Sequence, residues 1–175
     1  MNGVTAAIAA WAALAAYLWF VSISIALSVI DFELQRLPDA IVLPSIGVVA
    51  GLLSLSAVLG GNWAQLIAVI GGAAALFVFY FVIVLVYPKG MGGGDVKLAP
   101  VVGAALGYIG WDAVIVGGFA GFAIGAIVGL VVMAVRRVGR KHALPFGPWM
   151  LAGAWLGIVL GPQIMLAYLR LVGLQ

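Results

Sequence analysis

Cysteine is absent from this 175-residue chain, and histidine occurs once, at His142. Those gaps exclude disulfides, thiol nucleophiles and Cys-ligated zinc, and they argue against a His-based metal site. No metal and no cofactor is expected. Charge is nearly as scarce, at 7% of residues, where an ordinary soluble domain carries roughly a quarter. Hydrophobic residues make up 66% of the chain and the mean hydropathy is +1.31. This is the composition of a polytopic membrane protein, whose first partner is the lipid bilayer. The length leaves room for about six spans of ~20 residues and little else. A single helical domain over residues 1–175 is expected, with no soluble appendage. The net charge of +3 reads as a topology signal and not as a sign of nucleic-acid binding.

Six apolar segments can be traced. The first runs from Val4 to Ile30 and stops at Asp31. It is too long for a signal-peptide core and reads as a retained span. The next two are 40–59 and 64–87, separated by a Gly60-Gly61-Asn62 turn. A short fourth piece covers 98–109 and ends in a turn at Trp111-Asp112. About 13 residues of helix reach only ~20 Å, so this piece needs its flanks or a thinned, partly buried site to count as a span. Segments 113–135 and 147–169 complete the set. Arg36, Lys89, Lys97, Arg136, Arg137, Arg140 and Lys141 all fall on the odd-numbered loops, with Arg170 the exception. Basic loops stay in the cytoplasm, so the expected fold is an all-α bundle of about six transmembrane helices with the N-terminus outside.

Carboxylates are the rare feature that asks for a reason, because each costs several kcal/mol to hold near hydrocarbon. Asp31 closes the first span. Asp95 follows the run Gly92-Gly93-Gly94 at the mouth of the fourth. With the basic loops inside, both lie at the same membrane depth. Two neighbouring carboxylates do not ionise together easily, so one keeps its proton. The ionised member takes a proton from water while the protonated one hydrogen-bonds a scissile carbonyl, and peptide hydrolysis follows. A Ser–Lys arrangement using Ser22, Ser24 or Ser28 with Lys97 is conceivable, although no spacing favours it. The glycines permit positive φ and a close approach of substrate backbone, or they form only a flexible loop.

At this point the motifs resemble a known family. Gly90-Met91-Gly92-Gly93-Gly94-Asp95-Val96-Lys97-Leu98 looks like the Gly-x-Gly-Asp signature of type IV prepilin peptidases, which are intramembrane aspartyl proteases. Asp31 followed by Leu37-Pro38-Asp39 is similar to that family's first catalytic aspartate and its downstream pair. Leu144-Pro145-Phe146-Gly147-Pro148 resembles its late motif. The resemblance implies Asp31 and Asp95 as catalytic residues of an aspartic endopeptidase in the cell membrane. It implies removal of short basic leaders from type IV prepilins or pseudopilins at the cytoplasmic face. It also implies the short, peptidase-only form, so methylation of the new N-terminus and a zinc are not expected. Gly92, Gly93, Gly94, Lys97, Glu33 and Pro38 are carried along as substrate or loop support. The competing classes are a small transporter or channel subunit and a non-catalytic pilus-assembly scaffold. Oligomeric state is left open.

Other polar residues have two readings each. Glu33 either attracts a basic leader or is a solvated interfacial charge. Lys97 either tunes Asp95 or snorkels to the interface. Asp39 and Asp112 read as N-caps of the helices that follow them. His142 reads as an interfacial bystander. Gly117, Gly121, Gly125 and Gly129 recur every four residues, which predicts a helix-packing stripe. Pro145 and Pro148 around Gly147 either shape an entrance beside the site or mark a helix start.

Overall fold

A computed structural model of the chain describes residues 3–86, 91–136 and 145–173. Among these residues six helices follow one another: α1 (Gly3–Leu34), α2 (Asp39–Leu59), α3 (Trp63–Val86), α4 (Gly93–Ile109), α5 (Trp111–Arg136) and α6 (Gly147–Leu171). There is no strand among the described residues. Helices are the expected outcome for runs this apolar, since in lipid each backbone N–H and C=O must be satisfied within its own segment. Five of the six are long and apolar enough to cross a membrane. The shorter α4, with 17 residues, is about 26 Å long. It packs against α2, α3, α5 and α6, and nearly every residue from Asp95 to Gly107 is buried. The short fourth segment is thus the central helix, shielded by its neighbours. Large apolar side chains such as Trp11, Ile25, Phe119 and Leu130 point outward instead.

Two turns need glycine. Gly61, between α2 and α3, has φ +67°, and Gly110, alone between α4 and α5, has φ +144°. L side chains seldom adopt either conformation. The second turn therefore falls at Gly110, while Trp111 and Asp112 are already helical. Asn62 caps α3, its Oδ1 accepting the Gln65 N–H at 3.0 Å.

Small residues set the helix spacing. The stripe expected on α5 does meet a helix: Gly117 and Gly121 lie against Gly153 and Gly157 of α6, and Gly125 against Trp149. A Cβ at Gly157 would fall 2.6 Å from the Gly117 Cα, and one at Gly153 would strike the Gly121 backbone. An equally close seam joins α3 to α4 through Gly72 with Gly103 and Ala68 with Gly107. Close backbone approach of this kind maximises van der Waals contact, the main glue available between helices in lipid.

Candidate functional site

The site assembles where α1 ends and where α4 and α6 begin. α1 runs on to Leu34, so Asp31 sits in its last turn and not in the loop beyond it. The Asp31 carbonyl accepts the Gln35 N–H at 3.0 Å, and Gln35 has φ +50°. This is a left-handed helix stop, a position glycine usually takes. It folds the chain back so that Leu37 becomes buried while Gln35 and Arg36 remain exposed.

Leu37 packs against two glycines at helix starts. A Cβ on Gly94 would lie 2.9 Å from the Leu37 Cβ, and one on Gly147 would lie 3.4 Å from its methyls. Gly147 also touches the first aspartate directly: its N–H donates to Asp31 Oδ2 at 3.1 Å. Asp95 is held in a parallel manner. It is the third residue of α4, and its Oδ2 accepts the N–H of the N-cap Gly92 at 3.2 Å. The glycine run is therefore mostly a helix start. Gly92 has φ −72°, Gly93 and Gly94 are helical, and none of the three has positive φ. What the site uses is the missing side chain of Gly94, into whose space Leu37 fits.

Asp31 and Asp95 are 4% and 5% exposed. They line one cavity of about 430 Å³, with Gly92 to Gly94 and with Gln35, Arg36 and Leu37. The charge of Asp31 acts on Asp95. Among the described residues neither carboxylate has an ion-pair partner, and each accepts a hydrogen bond from one backbone N–H. Two such carboxylates on one cavity can divide the work, one protonated and one ionised, and act on a bound carbonyl and a water.

One cation on the cavity wall is committed elsewhere. Lys97 Nζ donates to both carboxylate oxygens of Asp39, at 2.7 and 2.8 Å. Both side chains are about half exposed and line the same cavity. This corrects two expectations. Asp39 is the first residue of α2, whose N-cap is Pro38 without a side-chain cap bond, and its carboxylate goes to Lys97. Asp112, likewise expected as a cap, is the second residue of α5.

The remaining candidates separate cleanly. Gly92, Gly93, Gly94 and Lys97 reach the cavity. Glu33 is exposed on α1 and does not line it, and neither does Pro38. The Ser–Lys alternative has no geometry behind it. Ser22 and Ser24 donate to the Leu18 and Phe20 carbonyls at 2.9 and 2.6 Å, while Lys97 is paired with Asp39. His142 and the basic run from Arg137 onward lie outside the described residues, as do Lys89 and Leu144. Sequence reasoning missed Gln35 and Leu37 as cavity residues. It placed Gly147 near the entrance without its bond to Asp31.

The model of the type IV leader peptidase family matches residues 18–130, a stretch that holds both aspartates. The chain is similar to the prepilin leader peptidase/N-methyltransferase of Pseudomonas putida, with 34% identity over 154 residues, covering 85% of this chain and 51% of that protein. The protein of the same name in Pseudomonas aeruginosa is 32% identical over 153 residues, covering 86% and 51%. In Bacillus subtilis strain 168 the figures are 32% over 152 residues, covering 87% and 58%. The chain thus spans about half the length of the curated relatives it matches. No solved structure matches it.

Proposed function

The chain belongs to the type IV leader peptidase family, and on that premise we propose that it is an intramembrane aspartic endopeptidase acting on type IV prepilins or pseudopilins. Asp31 and Asp95 are its catalytic pair. The observation that carries this reading is their meeting: two buried carboxylates, 64 positions apart in sequence, line one cavity beside the glycine run. One carboxylate, ionised, takes a proton from water as the oxygen attacks the scissile carbonyl. The other, protonated, donates to the carbonyl oxygen. The tetrahedral intermediate then collapses as a proton passes to the leaving amine. Of the two activities in the relatives' printed name, hydrolysis is the one a carboxylate pair performs.

The substrate fits the setting. A leader ahead of a single transmembrane segment puts the scissile bond at the membrane surface, the depth at which both aspartates lie. Asp31 and Asp95 face the cavity, which Arg36 and the Lys97–Asp39 pair also line. The basic odd-numbered loops favour the cytoplasmic face of the cell membrane, with α4 as the fourth of six crossings and the N-terminus outside. Residues 1–175 act as one domain. A transport path would need polar groups along its length, whereas both carboxylates sit at one end of their helices.

The test is leader cleavage of a model prepilin in membranes by wild type, Asp31→Asn and Asp95→Asn. Cleavage by wild type and loss of at least a thousandfold in both variants, at normal expression, is expected. Activity retained in either variant would remove that aspartate from the mechanism.

A further inference from the structure

Tyr80 lies in the interior with its ring fully buried and its hydroxyl without a hydrogen-bond partner among the described residues. A buried phenol normally finds one, and an orphaned hydroxyl costs about 1–3 kcal/mol. Its position explains what it faces. The buried stripe of α3 is Ala68, Gly72, Leu76 and Tyr80, at every fourth residue. The antiparallel α4 presents Gly107, Gly103, Ala99 and Asp95, also all buried. Ala68 touches Gly107 and Gly72 touches Gly103 through their backbones, and this fixes the register. Followed along both stripes, the same register sets Tyr80 across from Asp95. The Asp95 charge acts on Tyr80 accordingly.

The ring also packs toward the first aspartate's support. Tyr80 packs against Phe146 with ring centroids 5.9 Å apart and stacks on Phe122 at 5.3 Å. Phe146 immediately precedes Gly147, the residue whose N–H holds Asp31. Asp95 accepts its hydrogen bond on Oδ2, and among the described residues Oδ1 takes none. A donor without an acceptor and a carboxylate oxygen without a donor thus stand on facing stripes of one helix seam.

We infer that Tyr80 is a positioning residue of the site, its hydroxyl donating to the Asp95 carboxylate when substrate is bound. Hydrogen bonds of this sort are often long in free enzymes and tighten only in the complex. The bond favours the ionised form of Asp95 and fixes the carboxylate's rotation against Gly92. Asp31, Arg36, Asp39 and Lys97 also line the cavity, so the pair titrates in a shared field. The catalytic consequence rests on the peptidase reading; the Tyr80–Asp95 bond does not.

Tyr80→Phe tests it by removing only the oxygen and keeping the ring. Cleavage of a model prepilin should lose roughly tenfold to a hundredfold in kcat/KM, the size of one charge-assisted hydrogen bond. The acid limb of the pH profile should move to higher pH, because the ionised carboxylate has lost a donor. Infrared titration of the purified protein, with the Asp95 band assigned by its absence in Asp95→Asn, reads the same change without any substrate. An upward shift of that band in Tyr80→Phe supports the bond even if no prepilin is cleaved. A ring that serves packing alone would give a variant at least as stable, with the Asp95 band and the pH profile both unmoved, and that result overturns the inference.

Discussion

Gly147 shows how little room a single residue has at this site. A methyl group there would sit 2.7 Å from Asp31 Oδ2. The atom it meets is the end of a side chain that can rotate, so the cost to folding is small, within the roughly 1–3 kcal/mol of ordinary overpacking. The cost to chemistry is larger, because the displaced oxygen is the one that Gly147 orients. Gly147→Ala should therefore lower leader cleavage tenfold or more while the unfolding temperature moves only a few degrees. Full activity in that variant would mean that the Gly147–Asp31 contact has no part in the reaction. Asp31 and Asp95 were legible in the sequence because a carboxylate at the edge of hydrocarbon is costly and rare. Gln35 was not, since nothing in a glutamine announces a left-handed helix stop. Asp39 was misread as a cap because capping is local, whereas its actual partner, Lys97, is 58 positions away.

Between elements, glycines decide which helices touch. Gly103→Ala on α4 would drive a methyl into the Gly72 backbone, which cannot rotate away. The expected loss is about 2–3 kcal/mol or more of stability. Gly51 on α2 has nothing within 4 Å of a built Cβ. Gly51→Ala should be neutral or gain up to about 1 kcal/mol from helix propensity. Unfolding both variants in detergent checks the pair, and equal behaviour would show that the α3–α4 seam is looser than described. The Lys97–Asp39 bridge contributes far less, about 1 kcal/mol at most, since both side chains are half exposed. The α5 stripe could be read from its four-residue period. The α3–α4 register could not, because Gly72 and Gly103 carry no mark that pairs them, and Tyr80 went unnoticed for that reason.

For the whole molecule, the apolar runs were enough to find the six helices of the described residues, with ends displaced by a few residues where polar side chains continue a helix, as at Asp31 to Leu34. Orientation is a separate question, resting on the basic loops alone. The chain has no cysteine, so an introduced thiol is a unique label. A membrane-impermeant thiol reagent added outside intact cells should label Asn62→Cys, and should label Glu33→Cys only after permeabilisation. The opposite pattern would invert the topology and move the site to the outer face.

Pro100 lies inside α4 and carries no N–H, so the carbonyl of Val96, directly after Asp95, has no backbone donor four residues on. Gly93 and Gly94 open the same helix, adding backbone freedom where the ladder is already thinned. Asp31 hangs instead from the end of an unbroken 32-residue helix without proline. One carboxylate is mounted on a beam and the other on a spring. The backbone behind Asp95 therefore has one hydrogen bond fewer to hold it than the backbone behind Asp31.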